Sequence, residues 1–193
     1  MKKISQKATV KPKNEEELKA LIEAEIKKFG AQCDLNHIDV SLITDFSWLF
    51  HNSKFNGDIS QWDVSSVMHM DGMFLKSRFN GDISKWDVSG VVNMDCMFFE
   101  SIFNGDISRW DVSSCLRMSE MFYGSKFNFD VSEWNISLKS RCKCMFFRST
   151  LSKLLGIENP SFCQVKSHFL NLKLEADLQA ISPGQIQASK VRL

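Results

Sequence analysis

The stretch Phe79-Asn80-Gly81-Asp82-Ile83-Ser84-Lys85-Trp86-Asp87-Val88-Ser89-Gly90-Val91-Val92-Asn93-Met94-Asp95-Cys96-Met97-Phe98 decides the fold. Shifted by 24 residues, it meets a copy of itself on either side. Phe50, Phe74, Phe98, Phe122 and Phe146 share one column, and Phe55, Phe79, Phe103 and Phe127 a second. Trp62, Trp86, Trp110 and Trp134 share a third, and residues 58–81 match 82–105 at 16 of 24 positions. A weaker copy begins at Asp34, so five repeats result: 34–57, 58–81, 82–105, 106–129 and 130–153. Such a period marks a stack of units, none of which can bury its apolar side alone.

Within one unit, Ile83-x-x-Trp86-x-Val88 has the spacing of a leucine-rich-repeat strand, with Trp86 and Val88 inward and Asp87 outward. Val91, Met94, Met97 and Phe98 then advance by three or four, as in a short helical turn. Asn80-Gly81-Asp82 returns the chain, with Gly81 expected to supply a positive φ. The expected fold class is an α/β solenoid: a right-handed, leucine-rich-repeat-like coil of about five strand-plus-short-helix repeats.

A stack of this kind needs caps. Residues 1–33 are expected to hold a tail and a capping helix, 34–153 the coils, and 154–193 a C-terminal cap and tail. Asn14 and Glu17 stand in capping-box positions, Leu18, Leu21, Ile22, Ile26 and Phe29 form one stripe, and Gly30 is the stop. At the other end, Asn159-Pro160 is expected to start a helix with Pro160 at its first position. Phe162, Val165, Phe169 and Leu172 follow at helical spacing. Leu170, Leu172 and Leu174 also alternate like a strand; the helix is the preferred reading. Pro183-Gly184 is expected to end it, with a mobile tail beyond.

The pattern Phe-Asn-Gly-Asp-Ile-Ser-x-Trp-Asp-Val-Ser-x-Val-x-x-Met-x-x-Met-Phe, present from Phe79 to Phe98 and again from Phe55 and Phe103, resembles the BspA-like leucine-rich repeat. The resemblance spans about residues 34–150. Members of that family are often bacterial or protist surface proteins, and several bind host proteins. The resemblance implies a binding scaffold with no shared catalytic residues.

Composition bounds the role further. The chain has 193 residues, 24 Lys plus Arg against 23 Asp plus Glu, and 16 Phe, 5 Trp and 9 Met. The near-neutral charge makes nucleic acid an unlikely partner, and no run is long enough to span a membrane. Met1-Lys2-Lys3 is not followed by an apolar run, which points to a cytoplasmic protein, whereas the BspA-like resemblance implies a cell-surface one. Residues 1–30 hold eight Lys and five Glu, and residues 34–149 hold eleven basic and fifteen acidic residues, so the repeats favour a basic partner surface. Six Cys are not expected to pair: Cys96 and Cys144 share a column but lie two repeats apart.

The candidate contact residues follow from the columns. Asp39, Asp63, Asp87 and Asp111 should point outward and bond nearby Ser and backbone, a calcium role being the minor alternative. Beside them His37, Gln61, Lys85, Arg109 and Glu133 vary while their neighbours do not. Gln61, Asp63, Lys85, Asp87, Arg109, Asp111 and Glu133 are therefore the expected partner-binding face. His51, Leu75, Phe99, Tyr123 and Phe147 form a second varying column. Phe99 and Tyr123 represent an aromatic flank that either binds a partner or packs between coils. The Trp and Met columns read as core. No catalytic constellation, cofactor or metal is expected. The expected function is non-catalytic protein binding, as an intracellular bacterial or mobile-element binder or inhibitor, with a surface adhesin as the alternative.

Overall fold

The computed structural model describes residues 9–180. The 24-residue period governs it, but the strand-plus-helix unit does not form. The described residues hold three α-helices: α1 (Glu15–Phe29), α2 (Thr150–Leu155) and α3 (Phe162–Ala180). Between α1 and α2 the chain is a succession of tight turns. Coils meet through isolated parallel bridges, Asp45 to His69, His69 to Asn93, Asn93 to Arg117 and Arg117 to Arg141, and no sheet forms among the described residues. The expected α/β solenoid is corrected to a stack of turn-built coils.

The reason lies in where the backbone N–H groups go. In the Trp-Asp-Val stretch, Trp86 donates to the Ile83 carbonyl at 3.2 Å and Val91 to Val88 at 2.9 Å. The Asp82 and Asp87 carboxylates accept from the amides of Ser84 (2.9 Å) and Ser89 (3.1 Å). Donors satisfied inside the coil are not left for a ladder to the next one.

The Met-x-x-Met-Phe stretch divides its amides. Met94, Cys96, Phe98 and Glu100 donate across to the carbonyls of Arg117, Ser119, Met121 and Tyr123 at 2.7–2.9 Å. The residues between and after them, Met97, Phe99 and Ser101, donate back to Met94, Cys96 and Phe98 at 3.1–3.2 Å. Four such cross-coil bonds join every successive pair of coils. To aim alternate amides in two directions the chain uses left-handed residues in two columns. These are Trp48, Gly72, Cys96, Glu120 and Cys144, then Asn52, Lys76, Glu100, Gly124 and Arg148, with φ from +49° to +63°. A right-handed helix cannot continue through a left-handed residue at every fourth position.

The core is a set of aromatic columns. Phe50, Phe74, Phe98, Phe122 and Phe146 stack at 5.5–5.6 Å with planes within 6°. Phe55, Phe79, Phe103 and Phe127 run beside them at 6.1–6.4 Å. The Trp column is buried, and each indole N–H reaches a carbonyl of the preceding coil: Trp62 to Leu35, Trp86 to Ile59, Trp110 to Ile83 and Trp134 to Ile107, at 3.0–3.2 Å. Burial of so large an apolar ring is strongly favourable once its one donor is satisfied. Met70, Met94 and Met118, and Met73, Met97, Met121 and Met145, are buried in the same core, as is Cys115, whereas Cys142 is half-buried.

The glycine of the Asn-Gly-Asp turn has a different role from the one expected. Gly81 is not left-handed; a Cβ there would sit 2.8 Å from the Phe79 ring. Gly105 faces its own Phe103 ring in the same way, whereas a Cβ at Gly57 would meet the Cys33 carbonyl before the Phe55 ring. Glycine is needed because the backbone folds over the aromatic column.

At the N-terminal end Asn14 Oδ1 accepts from the Glu17 amide at 2.9 Å, and Glu17 reaches back to the Lys13 amide at 2.8 Å. Gly30 follows α1, with its amide bonded to the Ile26 carbonyl. Leu18 and Ile22 are buried and Leu21 and Ile26 pack against the core, but Phe29, placed on the same stripe by its spacing, is half exposed. Val10 pairs with the first coil at His37 and Asp39, an element the sequence reading lacked.

At the other end α2 was not foreseen, and α3 starts two residues later than expected. Ser161 caps it through reciprocal bonds with Gln164, rather than Pro160 standing inside it. Helix spacing prevails over the Leu170-Leu172-Leu174 alternation, yet Leu172 is 48% exposed rather than seated on the core. The expected stop at Pro183-Gly184 and the tail beyond it lie outside the described residues.

Candidate protein-contact surface

The coils place the predicted face in register. Gln61, Lys85, Arg109 and Glu133 are exposed in one column, and Asp63, Asp87 and Asp111 in the column two residues on. Buried Trp and Val side chains alternate with them, so each exposed side chain stands on a core residue. The two caps reach the ends of this column. His37, its first member, is half-buried with Nε2 3.6 Å from Glu25 of α1. Glu133, its last, accepts from Lys173 Nζ of α3 at 2.8 Å. Lys85 and Arg109, in the middle, make no salt bridge among the described residues.

The Asp columns are held by local bonds. Asp63 accepts from the Ser65 amide (3.1 Å) and hydroxyl (2.7 Å), and Asp87 from those of Ser89 (3.1 and 2.6 Å). The Ser89 hydroxyl and then its amide hold the Asp87 carboxyl below the ordinary carboxylate range, and Ser113 acts likewise on Asp111. Asp39, bonded first by Ser41 and then by the Lys11 ammonium, is lowered to about 2. Asp82 and Asp106 are also lowered, chiefly by the amides of Ser84 and Ser108, with help from the charges of Lys85 and Arg109. The Asp87 and Asp111 carboxylates therefore stay ionised, and the Asp–Ser bonds hold the row in constant geometry.

The aromatic flank is half-buried. Phe99 stacks on Tyr123 at 4.5 Å, and Tyr123 meets Phe147 at 5.2 Å. Leu75 is half-buried, whereas His51 is exposed and turned edge-on to Trp48 at 5.4 Å. Phe99, Tyr123 and Phe147 pack on one another between coils and keep one edge in solvent.

A polar network across the coils escaped the sequence reading. Asp71 accepts from Ser47 Oγ (2.9 Å) and Asn93 Nδ2 (2.7 Å). Asp95 accepts from Arg117 Nε and the Ser119 amide, both at 2.7 Å. Its signal was Asp71 and Asp95 repeating at 24 residues, with Ser47 and Ser119 on either side in the same column. Cys96 and Cys115 carry free thiols, each pushed up to about 11 mainly by burial, which suppresses the nucleophilic thiolate. Among the described residues no cluster of three or more His, Cys, Asp and Glu side chains could hold a metal, and no helix is long and apolar enough to cross a membrane.

The family described as Mycoplasma protein of unknown function, DUF285, matches residues 18–102 and 79–152, which together take in most of the chain. The chain belongs to DUF285. The two matches overlap across the coil that begins at Asp82, as expected of a family defined by repeats. The DUF285 match begins at Leu18, within α1, and ends in α2, so it takes in the coils together with parts of their caps. No curated protein and no solved structure matches the chain.

Proposed function

We propose that this chain is a non-catalytic protein-binding module that acts through the exposed column Gln61, Lys85 and Arg109 and the Asp63, Asp87 and Asp111 row beside it. The observation that carries this reading is the contrast along one column. Its terminal members are engaged by α1 and α3, while its middle members vary in sequence and stand without salt bridges on a rigid aromatic core. Varied side chains at fixed spacing on a preorganised surface give recognition at low ordering cost. The alternation of fixed carboxylates with Lys85 and Arg109 suits a partner surface carrying both signs of charge, with close charge pairs setting register. The resemblance of the repeat to BspA-like proteins, several of which bind other proteins, supports the same reading.

Affinity capture with the wild-type chain and with a Lys85→Glu/Arg109→Glu bait tests it. The expected result is a protein retained by the wild type and lost by the double reversal, with a Lys126→Glu control retaining it. A partner held equally by all three baits would remove this column from the interface.

A further inference from the structure

α3 is ordered far beyond the surface it covers. Of its nineteen residues only Val165 is buried, and Phe162, Lys166, His168 and Phe169 are partly so. Lys173 makes its last hydrogen bonds and ion pairs to the coils, reaching Asp130, Ser132 and Glu133 at 2.8–3.0 Å. Every residue from Leu170 to Ala180 is exposed, a projection of about 16 Å at 1.5 Å per residue. Leu170, Leu174 and Leu178 are 45%, 58% and 60% exposed. At about 100° per residue, these three with Cys163 and Ser167 form a stripe about 80° wide, on the side of α3 away from Val165 and Phe169.

The charges beside that stripe identify its occupant. Lys166 and Asp177 lie just off the same edge of it, Lys166 in the first half of α3 and Asp177 in the second. Neither makes an ion pair among the described residues. A two-fold axis beside residues 171 and 172 sets Lys166 of one copy against the partner's Asp177, and Leu170 against the partner's Leu174. We propose that α3 is a dimerisation helix, two copies pairing antiparallel through the Leu170-Leu174-Leu178 stripe with reciprocal Lys166–Asp177 ion pairs. Such an isologous contact is closed by its own symmetry, so it yields dimers and not fibres. With three leucines per side it is a small interface, and a Kd on the order of 10 μM is expected. It goes beyond the repeat column and does not depend on that reading.

Sedimentation equilibrium of the full chain over about two decades of concentration around that value tests it. The mass should rise from one copy to two. Leu174→Glu should weaken association by at least about tenfold while leaving the thermal transition of the diluted chain in place, since the side chain is exposed. Lys166→Glu and Asp177→Lys should each weaken it about threefold to tenfold, and the two together should restore it. A chain that is monomeric throughout overturns the proposal, as does a dimer indifferent to Leu174→Glu. A monomer that binds anionic lipid vesicles through Leu174 overturns it in favour of a membrane surface. A Cys163–Cys163 cross-link under mild oxidation overturns the antiparallel arrangement.

Discussion

The coils and α3 are ordered by opposite means. In the coils almost no residue has regular secondary structure, yet the aromatic columns, the Trp N–H bonds and four cross-coil bonds per boundary fix each turn against its neighbours. In α3 nineteen residues are regular, yet one is buried. The difference teaches that order in this chain comes from repetition of contacts across 24 residues in one region, and from local hydrogen bonding in the other. Damage should therefore spread through the coils and stay confined in α3.

The sharpest way to break this comparison is to remove one ring from the middle of a column. Phe98→Ala should destabilise the chain by about 3–5 kcal/mol in denaturant titration, because Phe98 stacks on both Phe74 and Phe122. Phe129→Ala, at an outward ring 37% exposed, should cost under about 1 kcal/mol. Equal losses at the two sites would remove the column as the source of order.

Gly81→Ala comes next, at about 1–3 kcal/mol, since the added Cβ meets the Phe79 ring at 2.8 Å. Gly30→Ala has open space around the added carbon and is costly only through its φ of +88°. Comparing the two by thermal melting separates contact from conformation.

The Asp–Ser turns should appear as a dependence on pH. The folded-state pKa of Asp39 lies at about 2, below its unfolded value of about 3.9, and Asp82, Asp87, Asp106 and Asp111 are also lowered. Their contribution is present in full above about pH 4 and is lost as pH falls through the folded values. Asp82, Asp87, Asp106 and Asp111 are exposed and Asp39 is partly so, so each contribution is small. Stability measured between pH 5 and about pH 2 should fall, and Asp87→Asn should make that fall shallower.

The smallest effect should be a gain. Glu100 is left-handed without being glycine, at φ +49°. Glu100→Gly relieves that conformation and should stabilise by up to about 1 kcal/mol, reduced by the lost Lys76 ion pair at 3.4 Å. A loss instead would show that the left-handed columns carry no strain.

The period, the core columns and the outward face were legible because each repeats a side chain. Trp86 in and Asp87 out follow from alternation whether or not a strand forms. The strand and the short helix were misread because the same Asp and Ser that looked like exposed strand positions capture the amides a sheet would need. The left-handed columns were hidden because they hold Trp48, Cys96, Glu120, Asn52 and Arg148 as readily as glycine. Gly81 was misread because glycine serves both φ and close approach, and only the Phe79 ring tells them apart. The engagement of Glu133 by Lys173 joins residues 40 apart in sequence and breaks the period, so no column pointed to it.

The four cross-coil bonds at each boundary also bear on how such a chain can change length. The bonds that tie coil two to three are repeated between three and four. A duplication or deletion of 24 codons therefore inserts or removes one whole coil and leaves both helical ends seated as before. A change of 23 or 25 would turn every aromatic ring downstream out of its column. Descendants of this sequence can grow or shorten their row of exposed side chains only in single coils, one new Gln61-Lys85-Arg109-type position at a time.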